Sequence, residues 1–326
     1  MIKKSLRERI QGRIKMTLNG IKSDCHFSFY YAVLRLLDEF GGRLGLKSIS
    51  NSAHKHKDKW IINYLCEKYC KTIIKYKTDI VGNKIENSPI WVCWWTGEET
   101  APELVQKCIQ SIKKCSGRHQ VIFIDKNNYF KYVNVPDYML EKVRQKKMGL
   151  AHLADYIRVS LIAKYGGLWL DSTVFCSKKI PDNYFSQPFF TCKSEENPDS
   201  KFISKMRWTT FILGGYSGNI VFLYLKEMLE EYWKKEDVAI DYLLFDYIIE
   251  IGYEKSKYIK KMIDNVPINN IHRDELQAAM NAIEKAGKFH EIINSNTVLY
   301  KLSWRETYSL KTADGEESIY SYFLKK

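Results

Sequence analysis

Ala151-His152-Leu153-Ala154-Asp155-Tyr156-Ile157-Arg158, running on to Lys164-Tyr165-Gly166-Gly167-Leu168-Trp169-Leu170-Asp171-Ser172-Thr173, is the stretch from which the fold can be read. Gly149 to Tyr165 has helical spacing. Leu150, Leu153, Ile157 and Leu161 share one stripe, and Val159, Ile162 and Ala163 make the rest largely apolar, so the helix is expected to be buried. Paired glycines end it, the first expected in the left-handed conformation of a C-cap. The strand Leu168 to Val174 follows directly. Its alternation places Trp169, Asp171 and Thr173 on one face and Leu168, Leu170 and Ser172 on the other.

Strands and helices alternate on either side of this block. Pro89 to Trp95 reads as a buried strand, Pro102 to Lys114 as a helix with proline in its first turn, Gln120 to Asp125 as a strand and Pro136 to Lys146 as a helix. That order predicts an α/β fold, a mostly parallel sheet flanked by helices. Ligands of such sheets bind beyond the carboxyl ends of the strands, where Trp94, Trp95, Asp125 and Asp171 fall. The second half is less regular. It predicts strands at Trp208–Leu213 and Thr297–Leu302 and helices at Asn219–Lys234, Ile240–Glu250 and Asp274–Ala286.

Residues 1–84 read as a helical N-terminal appendage, and 85–326 as the main domain. The appendage is basic and holds no proline. Helices are expected around Tyr31–Leu37, broken by Gly41-Gly42, and at Lys59–Lys75. The run Ser48–Lys59 with His54 and His56 reads as a polar loop. Its basic helices suit an anionic membrane surface. The N-terminal charge is not followed by an apolar core, and no window reaches the ~18 apolar residues of a span. The chain is therefore expected to be cytoplasmic, at most peripheral on the inner face of the cell membrane.

Composition narrows the function. The 326 residues are 45% hydrophobic and 14% aromatic, enough for a large core, with a formal net charge of +13 that suits anionic partners. No RNP-like, zinc-finger or helix-turn-helix pattern appears, which argues against nucleic acid. The eight cysteines show no CxxC pair and no zinc spacing, and read as reduced buried thiols.

Asp155 and Arg158, at i and i+3, are neighbours on the helix surface. They form either a buried ion pair that fixes packing or a pair facing a cleft, where they bind sugar hydroxyls or phosphate oxygens. Asp171 and Thr173 offer two oxygen-bearing side chains at i and i+2, able to hold a hard divalent cation that bridges a nucleotide diphosphate. Asp241 and Asp246 flank an apolar helical segment. Asp241, at the expected helix start, is the better candidate to face an acceptor, with a helix cap as the plain alternative.

The central block resembles the sugar-transferase signature Ala/Ser-Asp-x-x-Arg, then Tyr-Gly-Gly-x-Trp/Tyr-x-Asp-x-Asp/Thr. More narrowly, the chain resembles the capsular polysaccharide synthesis glycosyltransferases, bacterial relatives of the family-32 transferases. Ile90 to Glu98, Ala101-Pro102, Leu168 to Val174, Asp241 to Asp246 and Tyr300 to Trp304 carry the resemblance, which covers roughly residues 85 to 310. It implies a GT-A fold, of Rossmann-like type, and a nucleotide-sugar donor, usually a uridine diphosphate sugar. It also implies a divalent cation, Mn2+ or Mg2+, and mostly retention at the anomeric carbon. The acceptor would be a surface or capsular polysaccharide repeat unit, a glycan or lipid-linked oligosaccharide. Asp155 and Arg158 would contact the donor sugar, Asp171 would be the first acid of the DxD motif, Trp94 or Trp95 would stack on the base, and Ser303-Trp304 would close over the diphosphate. Thr173 stands where a full DxD motif has its second acid. That departure puts metal dependence in question and leaves an alternative, a non-catalytic relative that binds nucleotide-sugar or glycan.

Overall fold

The computed structural model describes residues 20, 24–76, 78–285 and 287–326. Most of the basic run before residue 24, and the expected helix end at Ala286, lie outside the described residues. Three helices lead in, α1 (Phe29–Arg43), α2 (Lys47–Lys68) and α3 (Cys70–Lys75). Here the sequence reading is corrected. Ser48–Lys59 is helix, because Ser50, Ala53, Lys57, Ile61 and Leu65 form one buried stripe whose small and polar members conceal its period. Gly41 lies inside α1. It is a point of close approach, where an added Cβ would stand 3.3 Å from the Ser50 backbone nitrogen. The helix expected over Lys59–Lys75 breaks at Tyr69. Tyr31, Ile61, Leu65, Tyr69 and Ile73 of these helices pack into the same core as Trp91 and Trp169 of the sheet.

Next come β1 (Ile90–Cys93), α4 (Glu103–Cys115), β2 (Val121–Ile124), α5 (Asp137–Arg144), α6 (Leu150–Tyr165) and β3 (Gly167–Leu170), all near the expected positions. β1 pairs in parallel with β2, Ile90 opposite Val121, and with β3, Ile90 opposite Leu168. The chain therefore leaves β1 toward one side and returns through α5 and α6 to the other. The strand order reverses between β1 and β3, the kind of point where open α/β sheets leave a crevice. Strand alternation divides the molecule into two cores. Ile90, Val92, Leu168 and Leu170 face Leu104, Cys108 and Ile112 of α4, whereas Trp91 and Trp169 face Leu153, Ile157 and Leu161 of α6.

The remaining elements are β4 (Val174–Cys176), β5 (Phe189–Thr191), β6 (Ile212–Gly215), α7 (Ile220–Lys235), α8 (Leu244–Lys255), α9 (Lys257–Asp264), α10 (Glu275–Ala279), α11 (Lys288–Ile293), β7 (Leu299–Lys301) and α12 (Ile319–Lys325). The sheet order is β2-β1-β3-β6-β5. β6 runs antiparallel to β3 and β5, so it is the one reversed strand in a mostly parallel, Rossmann-like sheet flanked by helices. β4 and β7 form a separate antiparallel pair, with Val174 opposite Lys301. The strand expected over Leu168–Val174 is thus two strands with a turn at Asp171–Thr173, closed by Val174 N–H donating to Asp171 O at 2.8 Å. The strand expected at Trp208–Leu213 starts only at Ile212, the helix expected from Ile240 starts at Leu244, and that expected from Asp274 ends at Ala279. β5, α9, α11 and α12 had no clear sequence signal. Cys108, Cys176 and Cys192 are buried free thiols, while Cys25 and Cys70 are exposed, which corrects the uniformly buried reading. No helix among the described residues is long and apolar enough to cross a membrane.

Gly166 has φ 65° but ψ −162°, so the end of α6 is not the left-handed cap expected. Gly167 has φ +98°, and a Cβ there would lie 2.2 Å from the carbonyl oxygen of Pro89, the acceptor for Leu168 N–H at 2.9 Å. Gly167→Ala is expected to cost more than the ~1–3 kcal/mol of a strained backbone alone. Gly315→Ala, at φ +84° with nothing within 4 Å, carries only that strain. Thermal unfolding of the two variants checks this, with the larger fall in melting temperature expected for Gly167→Ala.

Candidate active site

A cavity of about 530 Å³ opens at the carboxyl ends of β1 and β3, at the reversal of strand order. Trp94 and Trp95 reach it from the end of β1, Asp155 and Arg158 from α6, and Asp171 and Thr173 from the turn after β3. Asp246 of α8, Lys301 of β7 and Ser303-Trp304 complete the wall. The structure thus gathers ten of these sequence-singled or newly found side chains from distant segments into one cleft.

Arg158 is the hub. Its Nη1 lies 3.3 Å from Asp155 Oδ1, and its Nη2 donates to Asp171 Oδ1 at 3.0 Å. Nη1 also donates to the Thr210 carbonyl. The guanidinium is flanked by the rings of Trp169 and Phe245, at 5.1 and 5.6 Å. The Arg158 side chain is 6% exposed, against 14% for Asp155 and 28% for Asp171. The ion pair is buried, and its carboxylates border the cleft.

Asp171 is gripped on both oxygens. Oδ1 also accepts from Trp169 Nε1 at 2.9 Å, and Oδ2 accepts from Lys301 Nζ at 3.1 Å. Burial pushes this carboxyl up, but Lys301 first and then Arg158 outweigh it and hold it below the usual carboxylate range. Lys301 Nζ also donates to Thr173 Oγ1 at 2.6 Å. The two donors expected to hold a divalent cation are thus one carboxylate and one hydroxyl, both bonded to an ammonium. An ion such as Mg2+ is held by one or two carboxylates together with substrate phosphates and waters. No group of three or more His, Cys, Asp or Glu side chains converges as a metal site among the described residues. At Asp171 and Thr173 the position such an ion would take is already next to the Lys301 ammonium.

The indoles stand at the other side of the cleft. Trp94 meets Trp304 edge to face, with ring centres 5.6 Å apart, and Trp304 is 42% exposed. Trp95 leans on Tyr129 at 5.2 Å. Trp91, by contrast, is core, its Nε1 donating to Gly166 O at 2.9 Å. Ser303 is anchored by Gln277, whose Oε1 accepts from Ser303 N–H at 2.7 Å.

The structure reverses the expected order of Asp241 and Asp246. The helix starts four residues later than expected, which leaves Asp241 in the preceding turn, accepting from Leu243 N–H at 2.9 Å. It borders a different cavity, of about 480 Å³, with Asp38, His54 and Lys57. Asp246, in the first turn of α8, borders the main cleft and accepts from Trp208 Nε1 at 3.0 Å. Lys301 was visible in the sequence only as the lysine of Tyr300 to Trp304. Its position two residues before Ser303, on the same face of an extended chain, was the one available signal.

A family model described as capsular polysaccharide synthesis protein matches residues 43–323. No curated protein and no solved structure matches the chain.

Burial, then the neighbouring Asp155, pushes the Asp246 carboxyl up to about 7. An aspartate raised on folding adds stability that is fully present below about pH 4 and lost as pH rises through about 7. Asp246→Asn keeps an acceptor for Trp208 and removes the charge. Its melting temperature relative to the unsubstituted protein should therefore rise between about pH 5 and about pH 8. A difference that stays constant across that range would contradict the placement of Asp246.

Proposed function

The chain belongs to the capsular polysaccharide synthesis protein family, and we propose that it is a glycosyltransferase acting through the cleft at the β1–β3 reversal. The proposed donor is a nucleotide-sugar, in the first place a uridine diphosphate sugar. The proposed acceptor is a surface or capsular polysaccharide repeat unit, free or lipid-linked. The observation that carries this reading is the convergence of indoles, cations and carboxylates on one cavity. A nucleotide-sugar has a matching set of needs: a flat apolar face for the base, positive charge for the diphosphate and acceptors for sugar hydroxyls.

In this reading Trp94 and Trp304 flank the base, a contact worth ~1–3 kcal/mol. Asp155 and Asp171 accept from sugar hydroxyls. Arg158, bonded to Asp171 and Thr210 and paired with Asp155, positions the carboxylates and adds charge from behind. Asp246 holds a hydroxyl of the acceptor. The bond from the anomeric carbon to the diphosphate breaks, with its electron pair left on the phosphate oxygen; the acceptor hydroxyl oxygen forms the new bond and its proton passes to that departing phosphate oxygen. Charge fixed in advance beside that oxygen stabilises the departing group. Retention follows from the resemblance to family-32 transferases.

A seat on the inner face of the cell membrane, within the cytoplasm, fits a lipid-linked acceptor. Phe29, Tyr30, Leu44 and Leu46, on and just after α1, are exposed apolar side chains, and the chain is strongly basic. That combination suits an anionic surface.

Thr173 in place of a second acid favours a second reading, a binding protein without turnover. Two measurements separate the readings. Uridine diphosphate at ~100 times its dissociation constant should stabilise the fold by ~2.7 kcal/mol, seen as a raised melting temperature. Release of nucleotide from a panel of nucleotide-sugars should then detect turnover, and binding without release would establish the second reading. Asp171→Asn is expected to lower transfer by about 10²-fold or more with the circular dichroism spectrum unchanged. Full activity in that variant would remove Asp171 from the site.

A further inference from the structure

Lys301 Nζ lies 3.1 Å from Asp171 Oδ2 and 2.6 Å from Thr173 Oγ1. Those are the two side chains that the sequence offers to a divalent cation. We infer that the Lys301 ammonium stands in the place of that cation, so that this protein binds the donor's diphosphate without metal. The inference rests on the nucleotide-sugar reading above and concerns the source of the positive charge in the same cleft.

The ammonium is placed by backbone geometry. Lys301 faces Val174 across the β4–β7 ladder. Its own N–H donates to Arg273 O at 2.7 Å, and the N–H of Leu302 donates to Thr173 O at 2.9 Å. The strand of Lys301 is therefore pinned to Arg273 by one bond and to the turn that carries Asp171 and Thr173 by the other. The ammonium also lies over the Phe211 ring at 5.0 Å. An ammonium has three N–H donors. Two meet Asp171 and Thr173, and the third remains for a phosphate oxygen in the cleft that Lys301 borders. A divalent ion at the same two oxygens would lie in contact with this ammonium, and of those two oxygens only Asp171's carries negative charge, already shared with Arg158. Thr173 is consistent with this. A second acid would add a ligand and a charge for a metal, whereas a hydroxyl suffices to orient a lysine. In the transfer step Lys301 forms and breaks no covalent bond. The electron pair of the broken C–O bond stays on the phosphate oxygen, and the ammonium balances its charge.

Titration calorimetry with uridine diphosphate tests the inference directly, in EDTA and in manganese chloride. The unsubstituted protein should bind with the same affinity in both. Lys301→Met should weaken binding in EDTA at least about tenfold, as expected for loss of a charged hydrogen bond. Manganese should restore part of that loss, because Asp171 and Thr173 are then released. Lys301→Arg, which keeps the charge and the ladder position, should retain binding in EDTA, and circular dichroism of both variants checks that they fold. Binding by the unsubstituted protein only with manganese would overturn the lysine's role while leaving the donor reading in place. So would unchanged binding by Lys301→Met in EDTA. No binding in either buffer would overturn the donor reading, and the lysine's role with it.

Discussion

The clasp on Asp171 is the interaction from which the rest of the site follows. One carboxylate, in the turn after β3, is held by Arg158 from α6 on one oxygen and by Lys301 from β7 on the other. A buried carboxylate is costly unless it is paired and hydrogen-bonded, and here two cations and an indole do both. The clasp also joins parts of the chain far apart in sequence. Arg158 belongs to the core on the α6 face of the sheet, and the strand of Lys301 belongs to the core on the α4 face. Removing either cation leaves one oxygen of Asp171 without its charged partner while the other oxygen stays paired.

The geometry of the sheet explains why this clasp borders a cleft. Because β2 and β3 lie on opposite sides of β1, the segments leaving their carboxyl ends diverge, and a cavity opens between them. Trp94 and Trp95 rise from one side of that gap and the Asp171 turn from the other. The charges are layered in depth. The guanidinium lies deep, the carboxylates above it and the ammonium at their edge. Of the two cations on Asp171, a ligand entering the cleft therefore meets Lys301 more readily than Arg158, since their side chains are 27% and 6% exposed.

The elements from β1 to β3 were legible because each shows one unbroken period, helical in α4 and α6 and alternating in β1 and β3. The buried stripe of α2 was not, because Ser50, Ala53 and Lys57 interrupt its apolar pattern. Lys57 is held inside by Asp38, on another helix at 3.3 Å, and by Asp58 and Asp241 at 3.8 and 4.0 Å; Asp38 and Asp241 are partners that local spacing cannot disclose. Asp155, Arg158, Asp171 and the tryptophans were legible as a recurring pattern. Lys301 was not, since its meaning depends on the β4–β7 register. Asp246 was passed over for Asp241 through a helix boundary misplaced by four residues.

The ladder between β4 and β7 has a topological consequence. It closes a long excursion of the chain, containing β5, β6 and α7 to α11, and brings Lys301 back beside the turn from which that excursion set out. The excursion supplies Thr210, Tyr242, Phe245 and Asp246 to the far wall of the cavity. The far wall is thus built by loops and α8 of the excursion, whereas the ladder sets the spacing of the charged pair. The architecture separates a half fixed by strand register from a half carried on a long connection, each answering to a different part of the chain.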